Sequence, residues 1–219
     1  MNTLHTIIGW IPSLLAGARV TILLTLASVS CGLVFALFLA LGKMSHSKLI
    51  NKLCDAYIFF FRGTPLLMQL YFVYYGLPQL SPAFTINSRF FAAFIAFSLN
   101  SAAYTAEVIR AAIQSIDNGQ TEAAHALGMT YRQTMSLIIV PQSIRRLIPP
   151  VGNEFIMVLK DASLVSIIAL ADITKVTRSI SSSTASALVY IPAMILYLII
   201  TAVFTFVFNR LEKKFAVYE

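Results

Sequence analysis

TEAAHALGMTYRQTMSLIIVP, residues 121–141, is a polar island set between long apolar runs. Its pattern predicts a short helix over residues 122–127, closed by Gly128, and a second segment that rises back into apolar sequence. Thr121 or Gln120 can cap the start, Glu122 suits the positive end of the helix dipole, and Gly128 suits the left-handed position past the C-terminus. A helix rich in alanine and poor in large side chains lets another protein approach closely. The island reads as a docking element, with the remaining chain as the machine it moves.

What surrounds the island is greasy. Of 219 residues, 58% are hydrophobic and 11% charged, with a mean hydropathy of +0.79. A soluble domain of this length carries about a quarter charged residues, so lipid contact is the better explanation. The net charge of +7 comes from bases that flank apolar runs, which makes them topology signals and argues against nucleic acid as a partner. Cys31 and Cys54 lie in or beside apolar segments without ligand-like spacing, and neither a disulfide nor a metal site is expected. The opening MNTLHTIIGW has no basic region, so no cleavable signal is expected and the first span itself would direct insertion.

A membrane-crossing helix needs about 20 apolar residues. Residues 4–15, with Pro12, are too short and read as an interfacial lead-in. Five spans follow, at about 20–42, 53–77, 90–113, 135–173 and 188–208, in a single domain covering 1–219 with a cytoplasmic loop at 114–134. The fold class is an all-α polytopic membrane protein. Span two is interrupted by Arg62, Gly63 and Pro65, span four is bent at its start and broken near Lys160, and residues 179–186 form a Ser-rich linker. Lys43, Lys48 and Lys52, then Arg132, Arg145 and Arg146, then Arg210, Lys213 and Lys214 fall on one side. Arg19, Arg89, Lys175 and Arg178 fall on the other. The positive-inside rule then puts the island and the tail in the cytoplasm and the N-terminus outside.

Three polar clusters within the spans carry the functional signal. A charge at mid-bilayer costs roughly 2.5 kcal/mol or more, so such residues usually face a partner or a wet cavity. Arg62 and Thr64 flank a helix break forced by Pro65, which exposes main-chain groups. The bland reading is a kink in which Arg62 reaches a loop carbonyl. Asn100, Tyr104 and Glu107 share one helical face, although Glu107 can also pair with Arg110 across one turn. Lys160 and Asp161 point to different faces; Asp161 at a broken helix suits an amino or guanidinium group, and the alternative is an internal ion pair of this cluster, Asp161 with Arg62 or Lys160 with Glu107. Acids, a base and open backbone between helices fit a small polar solute. No phosphate-loop pattern and no HExxH pattern occur, and His5, His46 and His125 are scattered, so catalysis by this chain and a metal are not expected.

The island resembles the EAA signature of permease subunits of bacterial ATP-binding-cassette importers. Glu122, Ala123 and Ala124 are followed at the family's spacing by Gly128, Ile138 and Pro141, with Val140 where the pattern has Leu. FFRGTPLLMQL, SLNSAAYTAEVIRAAIQSIDNGQTEAA and LKDASL are similar to the polar amino acid uptake branch, and YYGLPQ and SLNSAAYTAE rank L-cystine first among its substrates. The resemblance implies a type I importer permease that is not itself an enzyme. It also implies a coupling helix whose Glu122, Ala123, Ala124 and Gly128 contact an ATPase subunit. ATP and Mg would be bound by that ATPase, with no cofactor on this chain. A substrate-binding protein and a second permease, identical or sister, complete the implied assembly in the bacterial inner membrane. Substrate contact by Asn100, Tyr104, Glu107 and Asp161 is implied, with the break at Arg62 and Thr64 as a wall. The competing reading is an ion-coupled carrier or channel using Glu107 and Asp161.

Overall fold

Away from water a chain can satisfy every backbone group locally only as helix, and helix is what the apolar runs form. The computed structural model describes residues 3–215, and among these the regular structure is entirely helical. The first helix, α1, runs Thr3–Lys43 without interruption, 41 residues or about 60 Å. It therefore absorbs the segment expected to be a separate lead-in. Pro12 removes one helical bond near the N-terminus, and Trp10 and Leu14 on either side of it are held against Ile173 and Leu196.

Next come α2 (Lys48–Gly63), α3 (Leu66–Tyr71), a π-turn (Phe72–Gly76) and α4 (Leu77–Leu80). The expected interruption in span two is real: Lys48–Gly63 and Leu66–Leu80 meet at 102°. α5 (Arg89–Gln114) starts at Ser88, whose Oγ accepts from Phe91 N at 3.2 Å. α6 (Asn118–Ala126) and α7 (Tyr131–Thr134) occupy the polar island. A π-turn (Met135–Ile139) leads into α8 (Val140–Asp161), which tightens into a 3-10 turn over Ala162–Ile168. α9 (Ile173–Thr184) and α10 (Tyr190–Phe215) complete the chain.

Three helical stretches are long and apolar enough to cross a membrane, His5–Lys43, Arg89–Gln114 and Ala187–Phe215, and the bent pair makes a fourth. The segment at 135–173, expected to be bent at its start and broken near Lys160, is a π-turn, then α8 as far as Asp161, then the 3-10 turn. α8 carries Arg145, Arg146, Glu154, Lys160 and Asp161, so it lacks the apolarity of the others. The expected Ser-rich linker is also helical as far as Thr184. Asp172 starts that helix by accepting from Thr174 N and Lys175 N, both at 2.9 Å. Ser183 and Thr184 then return their hydroxyls to the Ile180 carbonyl, at 3.0 and 2.7 Å.

Small residues set the packing. α5 buries Ala92, Ala93, Ala96, Ala102, Ala103 and Ala106, and α1 meets it at Gly32. A Cβ on Gly32 would lie 3.1 Å from Ser101 Cβ, so the two helices approach as closely as small-residue membrane helices do. At Gly17 the same test gives 2.9 Å to the Asp172 carbonyl. α1 is thus the post against which α5 and the start of α9 stand. Most of α10 lies outside this packing, with Met194, Leu198 and Phe206 exposed.

Candidate functional site

Pro65 has no N–H and drives Thr64 to φ −116°, ψ 144°, so α2 ends at Gly63 with its last carbonyls unpartnered by helix. Two amide side chains satisfy them. Gln69 Nε2 donates to Phe61 O at 2.9 Å, Thr64 O at 3.1 Å and Thr64 Oγ1 at 2.9 Å. Asn100 Nδ2, from α5, donates to Phe61 O at 3.1 Å and to Gln69 Oε1 at 3.0 Å. Thr64 Oγ1 donates in turn to Phe60 O at 2.8 Å. The break is a hydrogen-bonded junction of α2, α3 and α5, which is how irregular backbone persists at membrane depth.

Against this junction lies a cavity of about 430 Å³, lined by Arg62, Thr64, Asn100, Tyr104, Glu154 and Asp161 among others. It brings together five of the six candidate substrate residues. Arg62, Glu154 and Asp161 make no ion pair among the described residues, and Glu107 pairs with Lys43 and Arg110, so the expected bridge from the Lys160–Asp161 cluster to Arg62 or Glu107 does not form. The Arg62 guanidinium instead rests over the Tyr104 ring, 5.4 Å from its centroid. Asp161 ends α8, where the chain tightens into the 3-10 turn. Glu154, 8% exposed and beside Ser101, was not among the expected residues. Its signal is an acid inside an apolar run, seven residues before Asp161 and so on the same face of α8.

The sixth candidate, Glu107, faces an adjoining cavity of about 520 Å³ with Lys43, Asp55, Arg62 and Tyr104. Arg110 Nη2 and Nε donate to Glu107 Oε2 at 2.7 and 3.1 Å, the one-turn pairing that competed with a ligand role. Lys43 Nζ bonds Glu107 Oε1 as well and lies 2.8 Å from Asp55. One lysine at the end of α1 therefore joins α2 to α5.

The polar island forms its helix earlier than expected, at Asn118, because Asp117 Oδ1 accepts from Gly119 N at 2.7 Å. Its end follows expectation. Gly128 has φ +78°, Gly128 N donates to His125 O at 2.9 Å, and Met129 N donates to Ala124 O at 3.0 Å. That paired closure satisfies the last carbonyls of α6. Thr130 and Gln133 then cap α7 reciprocally. Glu122, Ala123 and Gly128 are exposed, whereas Ala124 is 1% exposed and turns inward. Leu127 and Tyr131 stand out at 82% and 64% exposure. Arg146 of α8 donates to the Ser115 carbonyl at the end of α5, tying both long helices to the base of α6.

A helical membrane chain with a charged cavity between its spans and a capped helix outside them is a translocation subunit in form. Residues 32–217 match the family of binding-protein-dependent transport system inner membrane components, and the chain belongs to that family. The arginine transport system permease protein ArtQ of Bacillus subtilis is 38% identical over 205 residues, 93% of each chain. The L-cystine transport system permease protein TcyL of Bacillus subtilis is 38% identical over 210 residues, 94% of this chain and 88% of the relative. The glutamine transport system permease protein GlnP of Escherichia coli is 35% identical over 205 residues, 93% of each. Among solved structures, an amino acid ABC transporter crystallised with histidines superposes at a TM-score of 0.91, with 39% identity and coverage of 98% of this chain and 99% of that one. The inward-facing methionine transporter MetNI superposes at 0.79 with 17% identity, covering 94% and 97%, a likeness of fold.

Proposed function

We propose that the chain is the membrane-spanning permease of an ATP-driven importer of polar amino acids in the bacterial inner membrane. The cavity at the α2 break is the observation that carries this reading. A zwitterion needs one positive and one negative partner away from water, because an unpaired charge there costs roughly 2.5 kcal/mol or more. Arg62 supplies the first, for the substrate carboxylate. Asp161 and Glu154 supply the second, for its ammonium group. Tyr104 and the Thr64–Pro65 turn shape the wall, and Asn100 holds the junction that places Arg62. Glu107 acts at a distance, fixing Lys43 in the neighbouring cavity.

The tail and α6 lie in the cytoplasm and the N-terminus outside, with α8 as the remaining crossing. α6 is the coupling helix: Glu122, Ala123 and Gly128 face an ATPase subunit, Ala124 packs the lever from behind, and Leu127 and Tyr131 offer apolar knobs. Closure of two ATPase subunits around ATP and Mg would move two such levers and rock the spans between outward and inward states. A second permease and a substrate-binding protein complete the assembly. Relatives that carry arginine, L-cystine and glutamine match this chain to a similar degree. L-cystine, ranked first by local similarity, is the first substrate to assay.

The test is uptake by vesicles holding the permease with its ATPase and binding protein. Asp161→Asn and Glu154→Gln should each reduce ATP-driven uptake at least about tenfold, as expected when one charge-assisted contact is lost. Assembly should persist in both. Unchanged uptake in both variants would remove the cavity from the transport path.

A further inference from the structure

The second cavity, on the α6 side of the Arg62–Tyr104 pair, has no role in the reading above beyond anchoring α1. We propose that it is an exit-side subsite for the same zwitterion, which receives the amino acid from the first cavity before release. The inference rests on the assignment of the first cavity as the amino acid site. At about 520 Å³ it is no smaller than its neighbour, and Ile58 and Phe59 give it an apolar wall beside its charges.

Its position makes it the next stop. Arg62, Gly63 and Tyr104 line both cavities, so one side-chain pair is the partition between them. Arg62 sits in the last turn of α2, is exposed, and is held by the face of Tyr104 and by no ion pair among the described residues. It can swing to either side without leaving a carboxylate behind.

Its charges suit the same ligand. The Lys43 and Asp55 side chains are 23% and 48% exposed, so their pair opens onto the cavity. Glu107, 16% exposed, is gripped from behind by Arg110 and keeps Lys43 in place when Asp55 turns to a ligand. The substrate carboxylate stays with Arg62 and gains Lys43, while its ammonium exchanges Glu154 and Asp161 for Asp55. Because Arg62 serves both cavities, they fill alternately. The relay spares the substrate a passage with its carboxylate unpaired, the costly situation for a charge out of water.

The experiment uses the permease–ATPase complex in lipid nanodiscs without nucleotide and measures binding of radiolabelled L-arginine, L-glutamine and L-cystine. Asp161→Asn should weaken binding about tenfold and leave a saturable remainder. Adding Asp55→Asn should abolish that remainder, and Asp55→Glu in its place should keep it. Phe59→Trp, which enlarges the apolar wall of the cavity without touching an ion pair, should also weaken the remainder, so the outcome does not depend on Asp55 as a structural partner of Lys43. A remainder indifferent to both Asp55→Asn and Phe59→Trp, or none in Asp161→Asn alone, would overturn the subsite. Wild-type affinity in Asp161→Asn would instead refute the first cavity as the amino acid site.

Discussion

Gln69→Leu tests whether the break in span two is a built junction. Leucine has similar bulk and leaves the backbone turn to Pro65. The substitution removes the donor to Thr64 O and the acceptor for Asn100 Nδ2, while Phe61 O keeps its bond from Asn100. Each buried polar group left unsatisfied costs about 1–3 kcal/mol, and membrane interiors soften this because the unfolded chain also finds partners. The sum is a loss of about 2–4 kcal/mol. For a chain of this size that lowers the melting temperature by about 5–10 °C, read by thermal unfolding of the purified complex in detergent. Asn100→Leu should cost less, because Gln69 Nε2 still serves Phe61 O and Thr64. The double variant should fall short of additivity by about 1 kcal/mol, since the two amides share one bond. A drop under about 1 °C for Gln69→Leu, or strict additivity, would refute the junction.

Three further outcomes follow from the packing. Lys43→Met should destabilise by about 1–3 kcal/mol, measured by unfolding midpoint, because Asp55 and Glu107 lose their shared cation while Glu107 keeps Arg110. Gly32→Leu forces in a side chain whose Cβ would lie 3.1 Å from Ser101 Cβ, and should cost about 1–3 kcal/mol or more and lower the yield of folded protein. Ala124→Leu overfills the inward face of α6 by the same mechanism; it should weaken ATPase co-purification while leaving amino acid binding intact.

What the sequence revealed and what it hid divide by the range of the forces involved. The Gly128 closure, the Pro65 break and the polar face of α5 depend on neighbours a few residues away, and they stand in the structure as read. α6 starts before the position its pattern predicts because Asp117, a good cap, competes with Thr121 and extends the helix. Residues 4–15 read as a separate lead-in, but α1 runs through Pro12, and Trp10 and Leu14 beside it join a cluster with distant Ile173 and Leu196. Asn100 stands out in the sequence as a polar group in a span, but its bond to the Phe61 carbonyl crosses 39 residues. Lys43 reads in the sequence as a topology signal, and its contact with Glu107 crosses 64 residues. Glu154 is legible as an acid inside an apolar run, but nothing local to it places it in one cavity with Arg62 and Asn100.

The central claim is that α6 transmits the work of an ATPase to the spans. Its most direct test is amino acid uptake by vesicles containing the complex, with and without ATP, for wild type and Gly128→Val. At φ +78° a β-branched residue costs about 1–2 kcal/mol and should disorder the closure of α6. The account predicts uptake that requires ATP and the ATPase in wild type and is lost in Gly128→Val while the spans still bind amino acid. Uptake by the permease alone, undiminished in Gly128→Val, would contradict it.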